Sequence, residues 1–554
     1  MPPKPKYIFV SGGVISGLGK GITASSIAFL LKCHGIKVTV VKCDAYINID
    51  AGTIRPQEHG EVFVTEDGIE TDQDLGHYER FIDEDLKREN YVTLGQIYQE
   101  VIRRERNFEY NGEDVEVVPH IPNEMIRRFK QAAAVSGAEV VIVEIGGTVG
   151  EYQNILFLEA NRLMKYRDHE TVLHIHVAYL PTPSHIGEMK SKPVQTSVRL
   201  LNQTMIEPDF LVCRAEKPID TPRRERLSMF CNVDKEDIIS NPYVDSIYEV
   251  PGIFKAQDFD QKILRKLGIN KPVSKIFKQW QKMVDTSKSV KKTIKIGIAG
   301  KYQKTGDYTL SDAYVCVVEA IKHAAWYLKI KPEIVWFDAE EIEQEPQKIK
   351  ELSQVNGIII PQGWGSRGVE GKIKVVQYAR EHKLPYLGLC FGMQMAVIEL
   401  ARHGLDLLSA NSEEVDPKTP DPVIHIMPQQ KEYLAKHQYG GTIRLGAWPC
   451  RLRKDTIVWN AYHDNLTMKQ FNNETIYERH RHRYEFNLLY KSRLEKVGMK
   501  ISGISPDGKL VEAIELDQKL HPFFVGVQFH PEYKSRPLKP HPLFLAFLNA
   551  ALNG

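Results

Sequence analysis

Five apolar runs in the first half of the chain lack polar alternation: YIFV (7–10), KVTVVK (37–42), VVIVEIGG (140–147), VLHIHVAYL (172–180) and DFLVCR (209–214). A strand with one wet face alternates apolar and polar residues, so these runs predict strands buried on both faces of a parallel sheet. Segments of helical spacing lie between them, such as ITASSIAFLLKCHG (22–35), which Gly35 can close in a left-handed conformation. The Lys-rich stretch 271–293 reads as a helix followed by an exposed linker. After it, IKIGIAG (294–300) opens a second series, with EIVWF, GIIIPQG and LPYLGLC, and predicts a separate α/β domain. The expected organisation is therefore 1–270, a connection over 271–293, and 294–554. Residues 412–423, SEEVDPKTPDPV, read as a surface loop.

A length of 554 residues accommodates about two to four domains. Hydrophobic residues at 42% and charged residues at 26% are ordinary for a globular enzyme. A net charge of +2 provides no overall field for nucleic acid or a membrane surface. The seven cysteines sit in apolar contexts and read as reduced thiols. The opening MPPKPK is followed only by YIFV before glycines, too little for a signal segment, and no apolar run reaches membrane-spanning length. The expectation is a cytoplasmic protein without nucleic-acid or membrane partners.

SGGVISGLGKG (11–21) follows the first strand and departs from the usual phosphate-loop spelling. The required first glycine falls on Val14, and Gly21 stands where a hydroxyl residue would meet a metal. Glycines, Lys20 and a helix start still supply backbone donors, a cation and a helix N-terminus for phosphate oxygens. Ser16, Thr23 or a water could replace the hydroxyl. Glu144 ends a buried run, where parallel sheets collect ligands, and Asp74 lies in a polar segment; a magnesium ion takes such carboxylates together with phosphate oxygens. Lys190 and Lys192, if extended, point to one side and suit a second polyphosphate, although a solvated loop explains them as well.

LPYLGLCFGMQ (384–394) runs a short strand into a cysteine between glycines, the elbow arrangement of a nucleophile. A helix N-terminus after Cys390 favours the thiolate. In GVQFHPE, His530 and Glu532 lie two apart and so, in an extended segment, on one side, where Glu532 can orient the imidazole as a base. The turn PQGWGSRG (361–368) and the N–H of Phe391 can supply oxyanion donors. ERHRHRYE (478–485) has the look of a basic nucleic-acid patch, but it is short and bracketed by acids; a carboxylate-binding arginine with ion pairs accounts for it better.

The chain resembles the CTP synthases over nearly its full length. SGGVISGLGKG, YINIDAGT, HGEVFVTEDGIETDQDLGHYERF, VEIGGTVG, GEMKSKPVQ, FCNV, VDSIYEVPG, RGVEG, GLCFGMQ, ERHRHRYE and QFHPE occur in that family's order. The second half also resembles the wider class I glutamine amidotransferases. The resemblance implies an α/β protein of two domains. The first is a P-loop-type, dethiobiotin synthetase-like, mostly parallel sheet, and the second a flavodoxin-like amidotransferase. It implies that ATP phosphorylates the 4-oxygen of UTP and that ammonia, released from L-glutamine through a cysteinyl thioester and passed internally, displaces the phosphate. It further implies magnesium with ATP, GTP as an allosteric activator, CTP as an inhibitor at the UTP site, and a homotetramer able to form filaments.

By the same resemblance, Gly17, Leu18, Gly19, Lys20, Gly21, Ile22, Lys42, Asp74, Pro242, Tyr243 and Val244 match the ATP site, with Lys20 at the transferring phosphate. Asp74 and Glu144 match magnesium ligands. Ser16, Glu151, Tyr152, Gln153, Lys190, Ser191, Lys192, Pro193, Val194, Gln195 and Arg226 match UTP and CTP contacts. Cys390, His530 and Glu532 match the glutaminase triad, and Gly363, Phe391, Gly392, Met393, Gln394, Glu414 and Arg481 match the glutamine site. Four positions depart from the pattern. Arg226 stands where lysine is usual. Phe108 and Asn111 replace glycine and leucine in a segment linked to GTP activation. Gln362 replaces the first glycine of Pro-Gly-Gly, and if that position needs a positive φ it would strain the turn by about 1–3 kcal/mol. Two rivals share many of these features: an ATP-dependent enzyme amidating a carboxylate, and a scaffold or filament subunit with a decayed glutaminase.

Overall fold

Each of the five apolar runs forms a strand. The computed structural model describes residues 4–554 apart from 186, 302–303, 306–307, 310, 437–439, 466–470 and 472–473. Two further short strands complete a seven-stranded sheet. Its order is Tyr91–Thr93, Val38–Asp44, Val140–Ile145, Lys6–Gly13, Val172–Tyr179, Phe210–Ala215 and Ile238–Pro242. Every pairing in it is parallel. Successive side chains point to opposite faces of a strand, and helices cover both faces here, so uniformly apolar strands are what the position demands. The helix Lys20–Cys33 is buried along most of its length against the helices Asp74–Ile82 and Val250–Lys255. Gly35, at φ +68°, ends it as the sequence predicts.

The chain divides into two compact units. One comprises the residues up to Asp50 together with Asp74–Val284; the other comprises Ala51–Gln73 and Asp285–Gly554. The helix Ile276–Ser289 occupies the stretch read from sequence as a helix and linker. Its Trp280 is buried against Phe29, Phe81 and Tyr248, and its indole N–H donates to the Tyr248 carbonyl at 2.8 Å.

The second unit holds a nine-stranded mixed sheet. Lys331–Asp338, Thr293–Gly300, Gly357–Ile360, Tyr386–Leu389 and Phe524–Val527 pair in parallel. Val511–Leu516, Met499–Ile504, Arg444–Leu452 and Thr475–His482 then continue it antiparallel. The supposed surface loop at 412–423 is one only in its middle. Ala410–Ser412 and Asp421–Ile426 are strands of a small sheet completed by Tyr484–Phe486. All seven cysteines are buried free thiols. No described helix is long and apolar enough to cross a membrane.

The strand Lys6–Gly13 and the helix Lys192–Asn202 meet so closely at Gly13 that a Cβ there would lie 1.5 Å from Ser197 Oγ and 2.7 Å from His176 Nε2. Gly13→Ala should therefore lower stability by about 1–3 kcal/mol. Thermal unfolding of the purified variant checks this. Adding Ser197→Ala should recover only part of the loss, because the Ser197 Cβ itself would be 2.8 Å away.

Candidate active sites

In the first unit, parallel register brings the ends of three strands together. Val10 and Lys42 both lie opposite Glu144. The phosphate-like loop follows the strand carrying Val10, and Lys20 is the first residue of its helix. Gly17 and Gly19 have φ of +71° and +82°, which explains the need for glycine at both. Val14, the position at which the usual motif has glycine, is also left-handed, at φ +83°. A β-branched residue there is strained, and the loop keeps the backbone shape of the motif without its spelling.

Lys20 Nζ donates to the Gly147 carbonyl at 2.8 Å, and the Val149 N–H donates to the Gly12 carbonyl at 2.8 Å. The GGTVG turn is thus tied to the loop. Lys42 Nζ lies between acids: it pairs with Asp74, reaches Glu144 Oε1 at 3.2 Å and Asp44 Oδ1 at 3.9 Å. Tyr78 donates its hydroxyl to the other oxygen of Glu144. Burial pushes Glu144 up to about 7; Asp74 adds to the rise, while Lys42 and Lys20 oppose it. Burial likewise pulls Lys20 below the ordinary lysine value, against Glu144 and Asp74. Buried Glu144 and half-buried Asp74, converging on one ammonium, make a donor set that fits a divalent cation only when phosphate oxygens share it. No cluster of three or more His, Cys, Asp or Glu side chains able to hold a metal occurs among the described residues.

The remaining first-half candidates differ in exposure. Tyr243 follows the last strand and lies beneath the Arg214 guanidinium, 4.7 Å from the ring centre. Glu151, Tyr152 and Gln153 are exposed, and Tyr152 and Gln153 line a cavity of about 420 Å³ with Tyr46, Ile47 and Tyr98. One expectation needs correction, and a second finds a local partner. Lys190 and Lys192 do not form an extended pair: Lys192 begins the helix Lys192–Asn202, with Ser191 already helical, and Lys190 pairs with Glu188 at 2.8 Å. Thr23 turns its hydroxyl toward the loop, donating to the Gly19 carbonyl at 3.0 Å with its oxygen lone pairs left over, whereas Ser16 is exposed. Arg226 is exposed beside Phe230. Phe108 and Asn111 both have positive φ, +59° and +54°; an asparagine tolerates this and a phenylalanine pays for it.

In the second unit, adjacent parallel strands carry the elbow cysteine and the candidate base. Leu389 and Val527 are in register, and the Cys390 N–H donates to the Val527 carbonyl at 2.7 Å. Cys390 has φ +52° and ψ −98°, a strained conformation at the strand-to-helix turn. Gly392 is required by space, because a Cβ there would lie 2.1 Å from the Ile360 carbonyl oxygen. Gln528 Nε2 donates to Cys390 Sγ at 3.4 Å, and Gln394 Nε2 donates to Gln528 Oε1 at 3.3 Å. Gln528 was not singled out from the sequence, although it lies two residues before His530 in the same motif.

His530 Nδ1 meets Glu532 Oε1 at 2.7 Å, and the ring stacks on Tyr533. The pairing is as expected, but its backbone is not extended, since Pro531–Lys534 forms a turn of 3₁₀ helix. Among the described residues Nε2 makes no hydrogen bond to a protein nitrogen or oxygen. Burial alone lowers the His530 pKa; Glu532 and Cys390 outweigh it and raise it to about 10.

The turn 361–368, expected to supply oxyanion donors, is held along its length. Lys372 Nζ donates to the Pro361 carbonyl at 3.4 Å, Lys301 Nζ to the Trp364 and Gly365 carbonyls, and the Gly365 N–H donates to Glu414 Oε1 at 2.6 Å. Lys372 and Lys301 also lie over the Phe391 ring, at 5.1 and 5.0 Å. Gln362 is not among the residues with positive φ, so the conditional strain at that position does not arise. ERHRHRYE is no surface patch: Arg479, His480 and His482 are buried in a strand. Arg479 pairs with Glu66 at 2.9 Å, and Arg481 pairs with Glu70 at 2.8 Å.

A parallel nucleotide-loop sheet joined to an elbow-cysteine amidotransferase defines a glutamine-dependent synthetase. The family described as CTP synthase N-terminus matches residues 6–269, and the class I glutamine amidotransferase family matches 309–550. The CTP synthase of Caldanaerobacter subterraneus subsp. tengcongensis is 49% identical over 550 residues, covering 99% of this chain and 98% of that protein. That of Carboxydothermus hydrogenoformans is 49% identical over 548 residues, with 99% and 98% covered. A solved Trypanosoma brucei CTPS glutaminase domain with bound acivicin is 34% identical at a TM-score of 0.41, covering 47% of this chain and 94% of that one. The chain belongs to the CTP synthase family and is a ligase.

The charged imidazole of His530 adds stability that is whole below about pH 6.5, its unfolded value, and is lost as pH rises through about 10. Glu532→Gln removes the carboxylate and leaves Cys390 alone to oppose the lowering of the imidazole by burial. The alkaline limb of kcat/KM for glutamine hydrolysis should then move down by about a unit or more. A pH–rate profile of both proteins measures it.

Proposed function

We propose that this chain converts UTP to CTP in two coupled steps, with the synthetase over about 1–270, a connection over 271–293 and the glutaminase over 294–554. In the first step the 4-oxygen of UTP takes the terminal phosphoryl group of ATP, and ADP leaves. Ammonia then adds at the 4-carbon and phosphate departs, giving CTP. Lys20, at the start of its helix, stabilises the phosphoryl oxygens during transfer. Lys42 neutralises charge beside them. Asp74 and Glu144 would hold magnesium together with the nucleotide; when bound, the ion supplies charge neutralisation at the phosphates.

In the second unit, the Cys390 sulfur attacks the glutamine carboxamide carbon. His530 gives a proton to the departing ammonia, and later takes one from the water that opens the thioester. Gly363 and Phe391 N–H groups receive the oxyanion. Arg481 and Glu414 orient the amino-acid end of glutamine. Ammonia passes internally to the synthetase centre.

Glu151–Gln153, Ser16, Lys190–Gln195 and Arg226 contact UTP, and CTP competes there; Pro242–Val244 face the adenine. GTP activates the glutaminase, and Phe108 and Asn111 alter its dependence on GTP. Strongly exposed Ile47 and Tyr152 beside an apolar cavity support a homotetramer assembled through the first unit, with filaments possible. Buried free thiols support a cytoplasmic location.

The observation that carries this reading is the coexistence of the Lys20–Lys42–Asp74–Glu144 cluster and the Cys390–His530–Glu532 centre in one chain alignable end to end with CTP synthases. CTP formation from ATP, UTP and either nitrogen source tests it. Cys390→Ala should abolish glutamine-dependent synthesis and leave ammonia-dependent synthesis within about twofold. Lys20→Ala should lower both by about a hundredfold or more. Equal loss from Cys390→Ala with either source would refute separate centres.

A further inference from the structure

The segment Ala51–Gln73 comes from the first half of the sequence yet folds with the glutaminase unit. Its hairpin, Phe63–Val64 with Glu70–Thr71, lies beside the strand Thr475–His482. The Val62 carbonyl accepts from the Tyr533 hydroxyl at 3.0 Å, and Tyr533 is the ring stacked on His530. Three acids along the segment face this wall. Glu66 and Glu70 take Arg479 and Arg481. Glu61 does something different.

Glu61 is buried, at 3% exposure. Its Oε2 accepts from the Cys316 N–H at 2.7 Å, and its Oε1 accepts from Gln362 Nε2 at 2.5 Å. Burial raises the Glu61 carboxyl to about 7, and the Cys316 N–H and the Gln362 amide both work against that rise. The amide is therefore a partner of the charged form. Gln362 is itself buried, at 8% exposure, and precedes Gly363 in the oxyanion turn. Pro361, Trp364 and Gly365 are held by Lys372, Lys301 and Glu414. The hold on 362 is the amide, and a glycine there would have nothing to offer Glu61.

We propose that Glu61 and Gln362 form a clamp that positions the oxyanion turn of the glutaminase, with Glu61 anchored on Cys316 and acting through Gln362 on the Gly363 N–H. Both are positioning residues, and the clamp rests on the assignment of Cys390 as the glutaminase nucleophile. A donor displaced by a fraction of an ångström costs rate in the transition state more than it costs substrate binding.

The test uses the full chain. Glu61→Ala and Gln362→Ala should each lower kcat for glutamine hydrolysis about ten- to a hundredfold. The KM for glutamine should stay within about twofold, as should ammonia-dependent CTP formation. The double variant should be no worse than the poorer single one, because the two act as a unit. The reciprocal exchange, Glu61→Gln with Gln362→Glu, should restore most of kcat. Its residue 61 can still accept from Cys316 through Oε1 and donate to the new carboxylate through Nε2.

Unchanged kcat in both single variants would overturn the clamp. So would additive losses in the double variant, or equal loss of ammonia-dependent activity, which marks a general folding defect. Failure of the underlying assignment looks different: the wild-type chain would hydrolyse no glutamine, or Cys390→Ala would still hydrolyse it.

Discussion

Parallel pairing lines up the carboxyl ends of neighbouring strands, and both chemical centres depend on that alignment. In the first unit it sets Lys42 opposite Glu144 and delivers the loop of residues 14–19 to the same edge. In the second it sets Leu389 beside Val527, so that Cys390 and His530 leave adjacent strands in the same direction. Antiparallel pairing would have sent one member of each pair to the far end of its sheet. The loops that follow can vary in spelling, as Val14 shows, provided the strands before them stay in register.

Burial of charge is the second organising constraint. Taking an ion out of water costs of the order of several kcal/mol unless it is paired and hydrogen-bonded. Lys42 meets this by standing among Asp44, Asp74 and Glu144. In the second unit, Arg444 pairs with Glu512 at 2.7 Å, and Arg479 and Arg481 take acids from the segment Ala51–Gln73. A buried ion pair adds little net stability, but it penalises any register that breaks it. The ERHRHRYE segment, almost all charged or imidazole-bearing and yet mostly buried, is held in place in this way.

Several local expectations from sequence turned on assuming an extended chain. Lys190 and Lys192 proved to straddle a helix start, and Glu532 reaches His530 from a 3₁₀ turn. Proline explains both: Pro193 and Pro531 pre-set φ for a first helical turn, which a period-two reading of the side chains overlooks. The Gln362 question also depended on backbone geometry. The side chain takes a carboxylate partner 301 residues away in sequence, and no local pattern could have shown it.

Residue type and order alone determined the strand series, the glycine-rich turn of residues 11–21 at a helix start, the elbow at Cys390 and the His530–Glu532 pair. Each is a local consequence of hydrophobic periodicity, glycine placement or short spacing. Only the tertiary structure decided that Lys42 stands between Asp74 and Glu144, that Gln528 meets the thiol, and that Ala51–Gln73 packs with a unit encoded more than two hundred residues later. Such contacts are made between segments far apart in the chain. They are selected by burial and charge pairing once the sheets have formed, and neither leaves a periodic mark in the sequence.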